Sequence, residues 1–163
     1  MSVITESRSL KRRGFLIGAL GMALLPLNTI AATKPNRVTV WKDPNCGCCG
    51  DWVTHLEENG FVVKTIDQGN AAARARLGMP EKFGSCHTAL INGYVIEGHV
   101  PAADIHRLLT ESPDPAQALG LTVPGMPIGS PGMDGPAYGG RQDTYQVLLV
   151  NRDGTAKVFS RHG

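Results

Sequence analysis

Short β-branched runs alternate along this chain with stretches spaced for helices. Val38-Thr39-Val40-Trp41 predicts a first, buried strand. Asp51-Trp52-Val53-Thr54-His55-Leu56-Glu57-Glu58-Asn59-Gly60 predicts a helix that turns Trp52, Val53 and Leu56 to a core and stops at Asn59-Gly60. Phe61-Val62-Val63-Lys64-Thr65-Ile66 is a second strand, and the two strands with their helix make a βαβ unit. Residues 70–77, rich in Ala and Arg, form a short helix closed by Gly78 and Pro80. Thr88-Ala89-Leu90-Ile91 and Tyr94-Val95-Ile96-Glu97 flank Asn92-Gly93, a strong hairpin signal. Residues 101–109 read as a closing helix with Pro101 near its first turn.

The resulting order, β-α-β-α-β-β-α, is that of a thioredoxin-like α/β domain. Composition shifts across residues 120–140, where Gly and Pro dominate. A long irregular segment inside a small domain is more often functional than accidental, so it reads as an ordered loop folded over a site. Gln146-Val147-Leu148-Leu149-Val150 and Thr155-Ala156-Lys157-Val158-Phe159, joined around Asp153-Gly154, predict a terminal hairpin across residues 145–160. There are no internal repeats and no phosphate-binding glycine loop.

The first 32 residues stand apart. Arg8, Lys11, Arg12 and Arg13 precede an apolar stretch over residues 15–27, and Thr29-Ile30-Ala31-Ala32 offers small residues for cleavage. The stretch is short for a membrane span and is broken by Pro26. Arg12-Arg13-Gly14-Phe15-Leu16 resembles a twin-arginine export pattern, although Lys11 sits where Ser or Thr is usual, which keeps the ordinary secretion route open. Residues 1–32 therefore read as an export signal, with a periplasmic destination and contact with the membrane during export only. Residues 33–163 read as one domain. Setting aside the leader's four basic residues and one acid leaves 12 Lys/Arg against 13 Asp/Glu, so the basicity of the full chain belongs to its leader and gives no support to nucleic-acid binding.

Three of the four cysteines lie in Cys46-Gly47-Cys48-Cys49, between the first strand and its helix; Cys86 stands apart in Ser85-Cys86-His87-Thr88. Thiols at a helix N-terminus feel the positive end of its macrodipole, which favours thiolate, both nucleophile and soft-metal ligand. In the proposed topology the segment entering the third strand lies against that helix start and brings Cys86 to the cluster. After export, two structural disulfides are one reading of four cysteines, but such crowding favours metal or redox chemistry. Soft thiolates select Cu(I), zinc or iron–sulfur centres. C-x-C-C is a poor match to the usual zinc pairs and to common iron–sulfur spacings. Adjacent cysteines fit a single tetrahedral ion badly, whereas bridging thiolates in a multi-copper cluster tolerate the crowding. The competing reading is a thiol–disulfide oxidoreductase built on the C-x-x-C formed by Cys46 and Cys49, with Cys48 as an extra thiol and no proline in the segment around Cys86.

The ordered set Cys46-Gly47-Cys48-Cys49, Ser85-Cys86-His87-Thr88-Ala89, Gly98-His99-Val100-Pro101, Val123-Pro124-Gly125-Met126-Pro127 and Gly129-Ser130-Pro131-Gly132-Met133 resembles the CopG-type periplasmic copper-resistance proteins, a family long catalogued as a domain of unknown function. The resemblance spans essentially all of residues 33–163. It implies a thioredoxin-like fold whose cysteines bind copper as a polynuclear cluster, with a role in copper tolerance or copper redox handling. The expected ligands are Cys46, Cys48, Cys49 and Cys86, with zinc the lesser metal and other periplasmic copper-handling proteins as partners. A copper chaperone without turnover uses the same ligands. His87 reads as a ligand or as a hydrogen-bond partner of a thiolate, and His99 as a ligand or a loop histidine. Met126 and Met133 read as thioether donors or as adaptable packing groups. His55, His106 and His162 read as surface or packing residues, and Trp41 and Trp52 as walls of the core.

Overall fold

The computed structural model describes residues 35–163; the export signal read at residues 1–32 lies outside the described residues. The chain forms β1 (Arg37–Lys42), α1 (Gly47–Glu58), β2 (Val62–Asp67), α2 (Ala71–Leu77), β3 (His87–Ile91), β4 (Tyr94–Glu97), α3 (Ala102–Glu111), β5 (Ala118–Thr122), β6 (Tyr145–Asn151) and β7 (Ala156–His162). All seven strands join one mixed sheet in the order β2-β1-β3-β4-β5-β6-β7. The β1–β2 and β4–β5 pairs are parallel and the other four antiparallel. Among the described residues no helix is long and apolar enough to cross a membrane.

Strand alternation divides the core between the two faces of this sheet. Tyr94 and Ile96 of β4, with Val147 and Leu149 of β6, join Trp52 and Leu56 of α1 and Ile105 and Leu108 of α3 in the larger cluster. Val95, Leu119 and Val150 point the other way and pack with Met79, Leu77 and Phe83 around the end of α2. β4 and β5, between the two clusters, are buried along their whole length. Asn92 and Gly93 both take positive φ, as the two-residue hairpin turn requires.

Three expectations are corrected. The first helix starts at Gly47, not Asp51: the Gly50 amide already donates to the Cys46 carbonyl at 3.2 Å, so Cys48 and Cys49 lie inside the first turn. Residues 120–122, read as part of the Gly/Pro loop, complete β5. A five-residue strand buried on both faces shows no alternation, and its central Gly120 looks like a breaker. Here the glycine is required, because a Cβ at this position would fall on the Val95 carbonyl of the neighbouring strand. Finally, the terminal hairpin runs on to His162 and, through β5, extends the central sheet.

The first residue of β3 is itself a core group. His87 is fully buried, its ring centroid 4.3 Å from that of Trp52. Burial, helped by the neighbouring His99, pushes its pKa down from 6.5 to about 3. His99 is lowered in the same direction, again chiefly by burial.

Two outcomes follow from this packing. Gly120→Ala should cost at least about 2 kcal/mol, read as a lower denaturant midpoint, since backbone rather than a flexible side chain must yield; an unchanged midpoint would refute the close approach. The second concerns pH. Between 6.5 and about 3 the unfolded chain takes a proton on His87 that the folded protein refuses. Stability of the metal-free protein should be full above that window and fall on acidification through it, with a slope approaching about 1.4 kcal/mol per pH unit for this one group. Denaturant titrations of the parent and His87→Gln across the window should differ by one proton; identical pH profiles would show that His87 is not held neutral.

Candidate metal centre

The site is assembled from the two ends of a register. Lys42, last in β1, pairs with His87, first in β3. The chain leaving β1 and the chain entering β3 therefore lie side by side. The first turns through Asp43, whose carboxylate accepts from the Asn45 amide at 2.8 Å and whose carbonyl accepts from the Cys46 amide at 3.1 Å. Cys46 then takes the N-cap position of α1 without a capping hydrogen bond from its side chain. The second carries Cys86 immediately before β3. This pairing brings the Cys86 sulfur to the cysteines of α1, so that the four sulfurs all lie within 4.8 Å of one another.

Two of them are joined. Cys46 and Cys49 form a disulfide, with Cα atoms 5.3 Å apart, while Cys48 and Cys86 are free thiols. Cys48 Sγ faces Cys46 Sγ at 3.6 Å, and Cys49 Sγ, fully buried, lies 3.7 Å from the Cys86 carbonyl. Burial pushes the Cys86 thiol up to about 11, the Cys48 charge adds to that, and the Ser85 hydroxyl opposes it.

Two imidazoles border Cys86. His99 Nδ1 lies 2.8 Å from the Pro131 carbonyl, which can only accept, so Nδ1 carries the proton. Its Nε2, 3.2 Å from Cys86 Sγ, is thereby left as a bare acceptor or ligand atom. His87 Nδ1 lies 3.4 Å from the same sulfur, and its Nε2 is buried with no hydrogen-bond partner. Cys86, His87 and His99 thus form a second group whose ligand atoms lie within 4.8 Å of one another. The wall behind them is Trp52, whose indole N–H donates to the Val100 carbonyl at 2.9 Å.

The Gly/Pro loop is ordered and lies on the site. A Cβ at Gly132 would come within 2.6 Å of the Cys48 carbonyl and 2.8 Å of the Trp52 amide nitrogen, so the loop backbone rests directly on the first turn of α1. The two methionines part company there. Met126, 52% exposed, shares with Cys86 a cavity of about 450 Å³ that also takes in Arg74, Glu81 and Ser85. Met133 is buried, and its sulfur accepts from the Tyr138 hydroxyl at 3.2 Å, a packing role.

The remaining histidines lie apart from the sulfurs. His55 accepts from the Ala102 amide, His106 stacks on Phe61, and His162 meets Asp104 at 2.7 Å. Trp52 is a core wall; Trp41 is half-buried, with the Arg76 guanidinium over its ring. Sequence reasoning does not single out Glu97 or the Pro131 carbonyl. For Glu97 the one available signal is an acid ending the apolar run Tyr94-Val95-Ile96; for a backbone carbonyl there is none.

With the Cys46–Cys49 disulfide reduced, a donor set of four sulfurs and two imidazoles suits a soft or borderline metal better than a hard one. Comparison with known proteins agrees with that chemistry. The family described as a protein of unknown function, DUF411, matches residues 83–133. Two solved structures described as copper resistance protein copG share the fold. Form 2 is 47% identical over 80% of this chain and 100% of that one, with a TM-score of 0.70. Form 1 is 48% identical over 79% and 98%, with a TM-score of 0.71. None of the curated proteins matches the chain. Identity of 47% and 48% over about four-fifths of this chain and nearly all of the solved ones means that this protein belongs to the CopG copper-resistance family.

Proposed function

We propose that this protein holds Cu(I) on the thiolates of Cys46, Cys48, Cys49 and Cys86, as a polynuclear cluster, within a thioredoxin-like domain exported to the periplasm. The observation that carries this reading is the convergence of all four sulfurs within 4.8 Å. At such spacing one thiolate reaches more than one ion, and copper(I) accepts bridging sulfur. Zinc is the lesser metal. His99 Nε2, bare and turned to Cys86, is the best-placed nitrogen donor, and Met126, beside the same cavity, is the thioether the loop can offer. The leader supports the periplasmic destination, and copper-handling proteins of that compartment are the expected partners.

The disulfide sets a condition on loading. Cys46 and Cys49 act as thiolates only after two electrons have been delivered to their bond, which breaks it into two thiolates with no proton required. Oxidised and metal-loaded forms therefore compete for the same sulfurs. The protein is then a copper store or chaperone when the sulfurs stay reduced, and a redox protein when copper and disulfide exchange electrons.

That same bond supports a second reading, thiol–disulfide exchange by Cys46 and Cys49 at a helix start, the arrangement of thioredoxin-type oxidoreductases. Cys48 at 3.6 Å from Cys46 argues against it as the main activity, because an adjacent thiol diverts the disulfide.

Cys46→Ser and Cys86→Ser should each abolish stoichiometric copper retention after the reduced protein is loaded with Cu(I) and desalted, while the far-UV spectrum is unchanged. Wild-type copper content in either folded variant would sink the assignment. For the second reading, insulin reduction is the measurement. We expect little turnover by the metal-free protein with a chelator present; turnover at the rate of a dedicated reductase would make exchange the primary function.

A further inference from the structure

Residues 85–88 run past the cysteines of α1 with Cys86 and His87 in the middle, and a polar cage stands directly behind them. At its centre is Glu97, the last residue of β4, with a carboxylate that is fully buried. Its Oε1 accepts from the Ser85 amide at 2.7 Å and from Arg74 Nε at 2.8 Å; Oε2 accepts from the Thr88 hydroxyl at 2.6 Å. The Ser85 carbonyl is taken from the other side, by Arg74 Nη2 and by Asn70 Nδ2, the latter at 3.0 Å. Asn70 also donates to the Thr88 hydroxyl at 3.1 Å, which leaves that hydroxyl's own proton for Glu97. Both residues flanking the Cys86–His87 pair are thus tied to one carboxylate, and Ser85 is gripped at its N–H and its C=O. The Ser85 hydroxyl in turn donates to the Gly125 carbonyl, next to Met126.

A buried charge is an expensive way to stabilise a fold, and an apolar residue of similar volume would often serve stability as well. Oriented acceptors that hold a particular backbone path are what an apolar residue cannot provide. α2, seven residues long, supplies the cation from its first turns and the amide from the residue preceding it. We propose that Glu97, with Arg74 and Asn70, is the positioning device of this site. It fixes the path of residues 85–88, and so sets the Cys86 sulfur opposite the cysteines of α1. The inference rests on the four-cysteine reading of the site and adds to it the group that holds its distant member in place.

The clamp has a signature that needs no copper. In the reduced, metal-free protein, Glu97→Gln should raise the alkylation rate of Cys86 several-fold while leaving that of Cys48, which α1 holds, unchanged. The double variant Glu97→Gln/Arg74→Met, which leaves no unpaired cation beside residue 97, should show the same selective rise. If charge compensation were the whole role of Glu97, the double variant would return Cys86 to its parent rate, and that result would overturn the proposal. So would an unchanged Cys86 rate in a folded Glu97→Gln. The unmodified protein provides a third readout: the Ser85 amide, outside any strand, should exchange with solvent as slowly as the amides of β3. Loop-like exchange at Ser85 would overturn the clamp whether or not either variant folds. Copper retention is scored separately on the same samples. A parent protein that retains no copper on its cysteines refutes the reading of the site, and the alkylation and exchange results still decide the clamp.

Discussion

The antiparallel register of β1 with β3 is the constraint on which the site depends. Lys42 opposite His87 puts the exit of one strand beside the entrance of the other, and the cysteines occupy those two ends. Side chains in a strand alternate between faces, so a slip of one residue would turn His87 out of the core, where it packs against Trp52, and carry Cys86 out of line with α1. The register is held by burial of the face of these two strands that packs against α1 and α3. Ala89 and Ile91 of β3 and Val38 and Val40 of β1 belong to one apolar cluster, and none tolerates exposure to solvent.

Around that register the polar groups are placed with little freedom. Trp52 spends its N–H on Val100, His99 spends one nitrogen on Pro131, and Glu97 satisfies a strand end and a loop at once. His87 Nε2 is the buried polar side-chain atom left without a partner among the described residues. Such atoms are rare in folded proteins, and this one lies in the ring beside Cys86. Burial favours the neutral form of both imidazoles, in which a ring lone pair is available to a thiol proton or a soft metal, and holds His87 in it down to a pH of about 3.

In the proposed function copper and the disulfide would draw on the same atoms, so the loaded and the oxidised conditions would exclude each other. The loop over residues 123–133 lies against these atoms. Its glycine at 132 lies on the first turn of α1, its Pro131 carbonyl selects the tautomer of His99, and its Met126 borders the cavity beside Cys86. A segment that by composition resembles a linker is in fact held by backbone contact and by hydrogen bonds that its carbonyls accept.

By itself the sequence determined the elements whose physics is local. The β-branched runs, the Asn92-Gly93 turn, the Ala/Arg helix closed by Gly78 and the order of the first seven elements follow from periodicity and turn chemistry, which a short window contains. The crowding of Cys46, Cys48 and Cys49 was legible for the same reason, and the motif order around Cys86 and His99 marked the distant members. Only the tertiary structure decided what depends on two segments meeting. It made a strand of residues 118–122, because Gly120 is needed by Val95 across the sheet and not by its own neighbours. It separated Met126, beside Cys86, from Met133, packed under Tyr138. It also brought Glu97 behind Cys86, since a carboxylate's partners are amides and cations from other elements and leave no trace in the residues beside it. Local order comes from interactions a few residues long, whereas the site is made of contacts across dozens of residues, which the chain acquires only on closing its sheet.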